Sequence, residues 1–325
     1  MKEPKVSIIV PIYGVERYIE RCAVSLFEQT YANIEYVFVN DATQDKSIEI
    51  LQDVIAHYPA RQKNVRIVTH PQNKGLSAAR NTGLSNCTGE YVWHVDSDDY
   101  IALNAVEQLV ETAEQHKADI VIFDVNVVTA SGVYVESVGY TNKVSYIRRL
   151  LQHLEKCAHW NKFYRKTLLD KTGIRSDERI RLAEDYAVTP RLIHEAQRVV
   201  MYHEPLYFYE TTNQSSYVHN LKKSAIESQY MADKILVDYF THIPDAKLYE
   251  DIVSVLSQRS MVSLIKNADS DGWSEILDVY RDELSHSGKH MTTVNRVIFR
   301  LAKNRRMQLL KMFMIFYHLV MGDRK

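Results

Sequence analysis

Short apolar runs and amphipathic stretches alternate through the first 125 residues. Val6–Ile12 is an unbroken, β-branched apolar run of the kind that forms a strand buried on both faces. Residues 15–29 then show helical spacing, with Tyr18, Cys22, Leu26 and Phe27 on a shared side. The alternation continues with a strand at 34–39 and a helix at 45–58, whose stripe is Ile48, Leu51, Val54 and Ile55. A strand at Val65–Thr69 leads to a helix at 76–86, with Ser77 placed to cap its start. A strand at 90–95, a helix at 103–116 and a strand at 119–124 complete the series. Strands and helices alternating at this spacing predict a parallel, doubly wound α/β sheet.

The pattern changes after Asp124. Residues 125–138 read as a hairpin turning at Ala130-Ser131-Gly132. Helical segments are predicted at 145–155, 166–171 and 184–196, and strands at 199–202 and 206–210. From Leu221 onward the chain reads as helices alone. The expected organisation is therefore an α/β, Rossmann-like domain with a mostly parallel sheet over residues 1–220, followed by a helical C-terminal region over residues 221–325.

Composition narrows this picture. The chain has 325 residues, 46% hydrophobic and 25% charged, with a net charge of −1, a balance that gives no reason to expect a nucleic-acid partner. The charge is uneven. Residues 289–325 carry nine Lys/Arg against one acid, Asp323, a local +8, so the rest carries 31 against 40, or −9. Val294, Val297, Ile298 and Leu301 share a helical face opposite Arg296, Arg300 and Lys303, and residues 309–321 are apolar nearly all round. That segment is too short to cross a bilayer but suits a helix lying in its interface. Packing on the rest of the protein, or a dimer contact, are the alternatives. Three scattered cysteines, Cys22, Cys87 and Cys157, form neither a zinc pattern nor a disulfide framework. The expected location is the cytoplasm, with peripheral attachment at the inner face of the membrane as an option.

The candidate chemistry lies at strand ends. Asp96-Ser97-Asp98-Asp99 follows the apolar run Tyr91-Val92-Trp93-His94-Val95. Three carboxylates this close repel one another, and a hard divalent cation between them relieves the repulsion. Asp41 ends the second strand, and Asn73-Lys74-Gly75 opens the helix that carries Arg80. Ligands of open α/β sheets bind beyond the carboxyl ends of the strands, so one ligand can touch all of these. Metal, helix N-terminus and guanidinium together suit a diphosphate. Tyr207-Phe208-Tyr209 is an aromatic cluster that fits core packing best.

These motifs, in this order, resemble the family 2 glycosyltransferases of GT-A fold. The matching stretches are Val6 through Tyr13, Ser25-Leu26-Phe27-Glu28-Gln29-Thr30, and Val39-Asn40-Asp41-Ala42-Thr43-Gln44-Asp45. They continue with Asn73-Lys74-Gly75, Ala79-Arg80-Asn81-Thr82-Gly83, Asp96-Ser97-Asp98-Asp99, Trp160-Asn161-Lys162-Phe163-Tyr164 and Glu184-Asp185. The resemblance implies a nucleotide-sugar donor, usually with uracil, and a glycan or lipid-linked glycan acceptor in bacterial surface polysaccharide or glycolipid assembly. It implies that Pro11 and Tyr13 border the nucleoside and Asp41 bonds the base. Asp96 would lie near the ribose, Arg80 would face the diphosphate, and Asp98 would hold Mn²⁺ or Mg²⁺ with help from Asp99. Asp185 would be the general base, with Glu184 as its immediate competitor. Trp160, Asn161 and Lys162 would border the acceptor or donor sugar, with ordinary packing an equal alternative for Trp160.

Two positions depart from the family pattern. Gly14 stands where the family most often has Asn, and Asn40-Asp41-Ala42 where it usually has two carboxylates and a glycine. A single base with direct displacement at the anomeric carbon implies inversion. A nucleotidyltransferase is a rival class, but Gly14-Val15-Glu16-Arg17 lacks the glycine-rich basic loop it needs. A non-catalytic nucleotide-sugar or glycan binder is the other; it would keep Asp41 and the acidic cluster without requiring Asp185.

Overall fold

The computed structural model describes residues 3–213, 223–285 and 288–321. The chain divides into two compact units, residues 1–150 with 155–216, and residues 151–154 with 217–325.

The first unit is built on a sheet of nine strands among the described residues. β1 (Val6–Ile12) and β2 (Ile34–Asn40) are buried at every position, as their apolar runs require. β3 (Val65–Thr69) pairs parallel to β2, and β4 (Tyr91–His94) parallel to β1 on its other side. Between these strands run α1 (Ile19–Phe27), α2 (Ser47–His57), the short α3 (Pro59–Gln62) and α4 (Leu76–Ser85). Gly83 lets α4 sit directly on β1, since a Cβ there would lie 2.3 Å from Ile9 Cγ2.

Beyond β4 the sheet becomes mixed, where the sequence predicts a parallel continuation. The remaining elements are β5 (Tyr100–Ile101), α5 (Ala105–His116), β6 (Ile120–Thr129), β7 (Gly132–Glu136), α6 (Lys143–Leu151), β8 (Lys162–Arg165), α7 (Lys166–Thr172), α8 (Glu184–Glu195) and β9 (Val199–Glu210). The sheet order is β3-β2-β1-β4-β8-β6-β9-β5, with β7 hairpinned onto β6. β8 inserts antiparallel between β4 and β6, so β6 does not neighbour β4. The two strands predicted at 199–202 and 206–210 are one strand, β9. Its register against β6 slips between Tyr202 and Tyr207, and the slip absorbs Pro205, which cannot donate to a ladder. Cys22, Cys87 and Cys157 are buried and unbridged.

The second unit is helical: α9 (Lys223–His242), α10 (Glu250–Val253), α11 (Leu256–Asn267), α12 (Trp273–Val279), α13 (Thr293–Lys303) and α14 (Met307–Met321). Its core gathers Met261, Ile265, Leu277, Tyr280, Ile298, Phe299 and Leu310. Among the described residues no helix is long and apolar enough to cross a membrane.

Candidate active site

The chain goes from β1 outward to β2 and β3, then returns to place β4 on the other side of β1. This reversal opens a crevice at the carboxyl ends of β1 and β4. The two strands are in register only as far as Ile9 and His94, with Val95 N–H closing on the Ile9 carbonyl at 2.9 Å. From there β1 continues to Ile12 beside β2 alone. Pro11 falls in this one-sided stretch, where its missing N–H is tolerated. Tyr13 follows, 46% exposed. Gly14 has φ +69° and donates its N–H to Thr43 Oγ1 at 2.9 Å. Glycine and asparagine are the residues that adopt positive φ most cheaply, which explains why Gly14 substitutes for the family's Asn. Ala42 has φ 57°, the conformation a glycine would take there at less cost.

Asp41 is buried and holds the loop after β3. Its Oδ1 accepts from Lys74 N–H at 2.8 Å and faces His70 Nδ1 at 2.7 Å; its Oδ2 accepts from Gly75 N–H at 2.8 Å. His70 reaches Thr82 Oγ1 through its other nitrogen. A carboxylate oxygen has two lone-pair sites, so these bonds fill Oδ1 and leave one site on Oδ2. The expected role of Asp41 toward a base is thereby confined to that one position, and its larger visible role is to fasten the loop.

The resemblance gives Asp99 a share in holding a metal; in the structure its carboxylate is engaged by β9. It is 1% exposed, accepting from Tyr207 OH at 2.6 Å and from Glu210 N–H at 2.7 Å. Tyr207 OH also receives Asp96 N–H at 3.0 Å. Arg21, from α1, donates to the Asp98 carbonyl at 3.1 Å and to Glu210 Oε2 at 3.0 Å. Asp99 therefore pins the acidic loop to β9. Its carboxyl is pushed well up by burial and by the charges of Asp98 and Asp96.

Asp96 and Asp98 are far less engaged. Asp96 Oδ1 accepts from Arg80 Nη2 at 3.0 Å, and Asp98 Oδ2 accepts from Asn213 Nδ2 at 2.9 Å. Burial, then the neighbouring charge of Asp96, pushes the Asp98 carboxyl up. Among the described residues no group of three or more His, Cys, Asp or Glu side chains is arranged to hold a metal unaided. A magnesium-like ion, however, is commonly bound by one or two carboxylates plus substrate phosphates. Asp96 and Asp98, both lightly bonded and mutually repelling, fit that donor set.

Arg80 is 5% exposed and sits between acids. It bonds Asp96 through one nitrogen and Glu184 through another. Burial works against its charge, and Asp96, Glu184 and Asp185 more than offset it. Where the resemblance has Arg80 facing a diphosphate, the structure has two of its nitrogens donating to Glu184 and Asp96, so that it positions these carboxylates, while its Nε is buried without a partner. Glu184 is itself buried, which pushes its carboxyl up although the charge of Arg80 pulls the other way. Asp185 is the more exposed of the two, bonding its own helix through Tyr186 N–H at 2.7 Å. Ala183, just before this helix, holds a left-handed φ of +67°. Such a conformation in a non-glycine residue costs energy that the surroundings must supply.

α4 organises the segment leading to α8. Ser77, placed by sequence to cap its own helix, instead donates to the Ile180 carbonyl at 2.7 Å, and Gly75 stands at the cap. Asn81 Nδ2 bonds the Ser176 carbonyl at 2.9 Å. Ser77, Arg80 and Asn81 thus tie one helix to residues 176–184.

Trp160 and Lys162 do not border an open site. Trp160 stacks on Tyr207 and Tyr209 at 5.0 and 5.2 Å. Lys162 is fully buried and donates to the Ala158 carbonyl and Asn161 Oδ1 at 2.7 and 2.6 Å; burial pushes its amine down to about 8. The sequence reading missed Arg21, His70, Tyr207, Glu210 and Asn213. Only Tyr207 stands in a noticed motif, and there as packing.

The fold and the strand-end carboxylates define a GT-A glycosyltransferase. The model of glycosyl transferase family 2 matches residues 7–173, and the chain belongs to that family. Bacillus subtilis (strain 168) has a relative described as the uncharacterized glycosyltransferase EpsJ. It is 34% identical over 288 residues, covering 82% of this chain and 78% of that protein. Among solved structures, S. aureus TarS 1-349 in complex with UDP-GlcNAc superposes with a TM-score of 0.76. It is 18% identical, covering 97% of this chain and 92% of that one. The mannosyltransferase PcManGT from Pyrobaculum calidifontis, in complex with GDP-Man and Mn²⁺, matches with a TM-score of 0.53 at 14% identity. That match covers 100% of this chain and 89% of the other.

Proposed function

We infer that this glycosyltransferase moves a sugar from a UDP-sugar to a hydroxyl of a glycan or lipid-linked glycan in surface polysaccharide assembly, inverting the anomeric centre. The observation that carries the reading is the lightly engaged pair Asp96 and Asp98 at the switch-point crevice, joined through Arg80 to the start of α8 where Asp185 stands. The TarS complexes with UDP and UDP-GlcNAc support uracil over guanine. Another relative, the S. aureus TarS protein, is named a poly(ribitol-phosphate) β-N-acetylglucosaminyltransferase, which supports a cell-surface polymer as acceptor.

Asp96 and Asp98 would hold Mn²⁺ or Mg²⁺ together with the donor diphosphate, and the bound cation would offset charge gathering on the leaving group. Pro11, Tyr13 and the remaining lone pair of Asp41 would meet the nucleoside. Asp185 takes the proton of the attacking hydroxyl, a role open to it because Glu184 is committed to Arg80. Arg80 and Glu184 are positioning residues: they fix Asp96 and the first turn of α8. The loop bonds of Asp99, Tyr207 and Arg21 keep the acidic segment rigid.

The test uses water in place of the unknown acceptor. A panel of UDP-α-sugars is incubated with Mn²⁺, and the anomer first released is read by proton NMR. The expected result is slow release of the β anomer, lost in Asp185→Asn while UDP binding persists. First release of the α anomer would overturn inversion. Full activity in Asp185→Asn would overturn its role as base.

A further inference from the structure

α14 has two apolar faces and only one is used inside the helical unit. Leu310 and Met314 are buried in its core, with Met307, Phe313 and Tyr317 packed against them. The other face carries Leu309, Met312, Ile315, Phe316, Leu319 and Val320, which are 48–78% exposed. At 3.6 residues per turn these six fall within one continuous arc, roughly 140° wide. On α13 the packing alternative holds: Ile298 and Phe299 are buried and Leu301 packs against the core, which leaves the exposed patch to α14. Isolated exposed apolar residues are ordinary, but six in one stripe on one helix mark an interaction surface.

The charge around the stripe selects the partner. Between Glu283 and Asp323 there is no acidic residue. Lys289, Arg300, Arg306 and Lys311 are exposed within that stretch. Arg306 and Lys311 stand on the helix itself or at its start. An apolar stripe beside a one-signed basic cluster matches the boundary between anionic headgroups and acyl chains. Two copies meeting through the same face would bring like charges together, which opposes self-association. α14 is about 22 Å long, short of a bilayer core, so it would lie in the interface rather than across it.

We propose that the exposed face of α14, with the flanking cations of α13 and the α13–α14 turn, docks the protein on an anionic lipid surface. The inference rests on the helical unit alone and stands or falls independently of the donor-site reading. It would place the enzyme where a lipid-linked acceptor is presented.

The test is flotation of the full chain with phosphatidylcholine vesicles, with and without phosphatidylglycerol, alongside sedimentation velocity without lipid. Wild type should float with the anionic vesicles and sediment as the same species as the variants. Phe316→Glu with Leu319→Glu should reduce the bound fraction at least about tenfold. Arg300→Gln with Lys311→Gln should weaken binding about fivefold per cation removed and leave the weak binding to neutral vesicles unchanged. UDP binding, measured in parallel, should be unaffected in both. Failure of the wild type to float overturns the proposal. So does a wild-type dimer that the Phe316 and Leu319 changes dissociate while flotation is unaltered, since the stripe would then be a contact between copies.

Discussion

Asp98 and Asp233 are both aspartates whose carboxyls burial pushes up, and the two units equip them in opposite ways. Asp233, in the helical unit, has no exposure and three neutral partners: Ser260 Oγ at 2.8 Å, Tyr280 OH at 2.9 Å and Gln229 Nε2 at 3.1 Å. Its carboxyl is raised to about 8, so at neutral pH it keeps a proton and its needs are met internally. Asp98, just beyond the end of β4, accepts from Asn213 and from its own backbone N–H, and has a like charge beside it in Asp96. The same side chain is a packing element in one unit and a lightly bonded carboxyl beside a like charge in the other. What marks a carboxylate as a ligand site is therefore the number of protein donors it already has, not its burial.

The largest effect expected from breaking this contrast is at Asp98. Asp98→Asn should lower transfer by about a thousandfold or more, the scale of losing charge stabilisation at a reacting centre. Its melting temperature should stay level or rise, because the change removes a repulsion. Next comes Asp185→Asn, with kcat down about a hundredfold to a thousandfold and the affinity for UDP unchanged, as loss of a general base predicts. Steady-state kinetics with direct nucleotide titration separates these two.

Asp233 sharpens the comparison through pH. Its folded pKa lies above the unfolded value, so the folded unit holds a proton that the unfolded chain releases. That stabilisation is complete below about pH 4 and is lost as pH rises toward about 8. Thermal melts of the wild type should therefore fall across this window, and those of Asp233→Asn, which mimics the protonated group, should fall less. Asp233→Ala should cost about 2–3 kcal/mol at low pH by leaving its partners unpaired, and less as pH rises toward about 8. The smallest effect is expected for Tyr207→Phe. Removing the hydroxyl that holds both Asp99 and Asp96 N–H should cost about 1 kcal/mol in denaturant melts and weaken UDP binding only mildly.

How far this was legible in the sequence varied with the range of the contacts. The parallel strands β1 to β4 were readable because each is an apolar run joined to the next by a local helix. β8 was not: Lys162-Phe163-Tyr164-Arg165 is too short to show a period, and its neighbours β4 and β6 lie far off in sequence. β9 looked like two strands because Glu204-Pro205 interrupts it, and only the slip against β6 shows how it continues. The acidic strand end was visible as a site from its crowding alone. The division of labour inside it was not, because Asp99 is claimed by Tyr207 and Glu210, more than 100 residues away. Arg80 likewise reads as an open cation in the sequence, yet Glu184, 104 residues on, claims it.

Calorimetric titration of UDP into the wild type and Asp98→Asn, each with Mn²⁺ or with EDTA, tests the central claim most directly. The account predicts binding that needs Mn²⁺ in the wild type and is lost in Asp98→Asn, with Asp99→Asn retaining the Mn²⁺ dependence. Equal UDP affinity in EDTA, or undiminished Mn²⁺-dependent binding in Asp98→Asn, would contradict it.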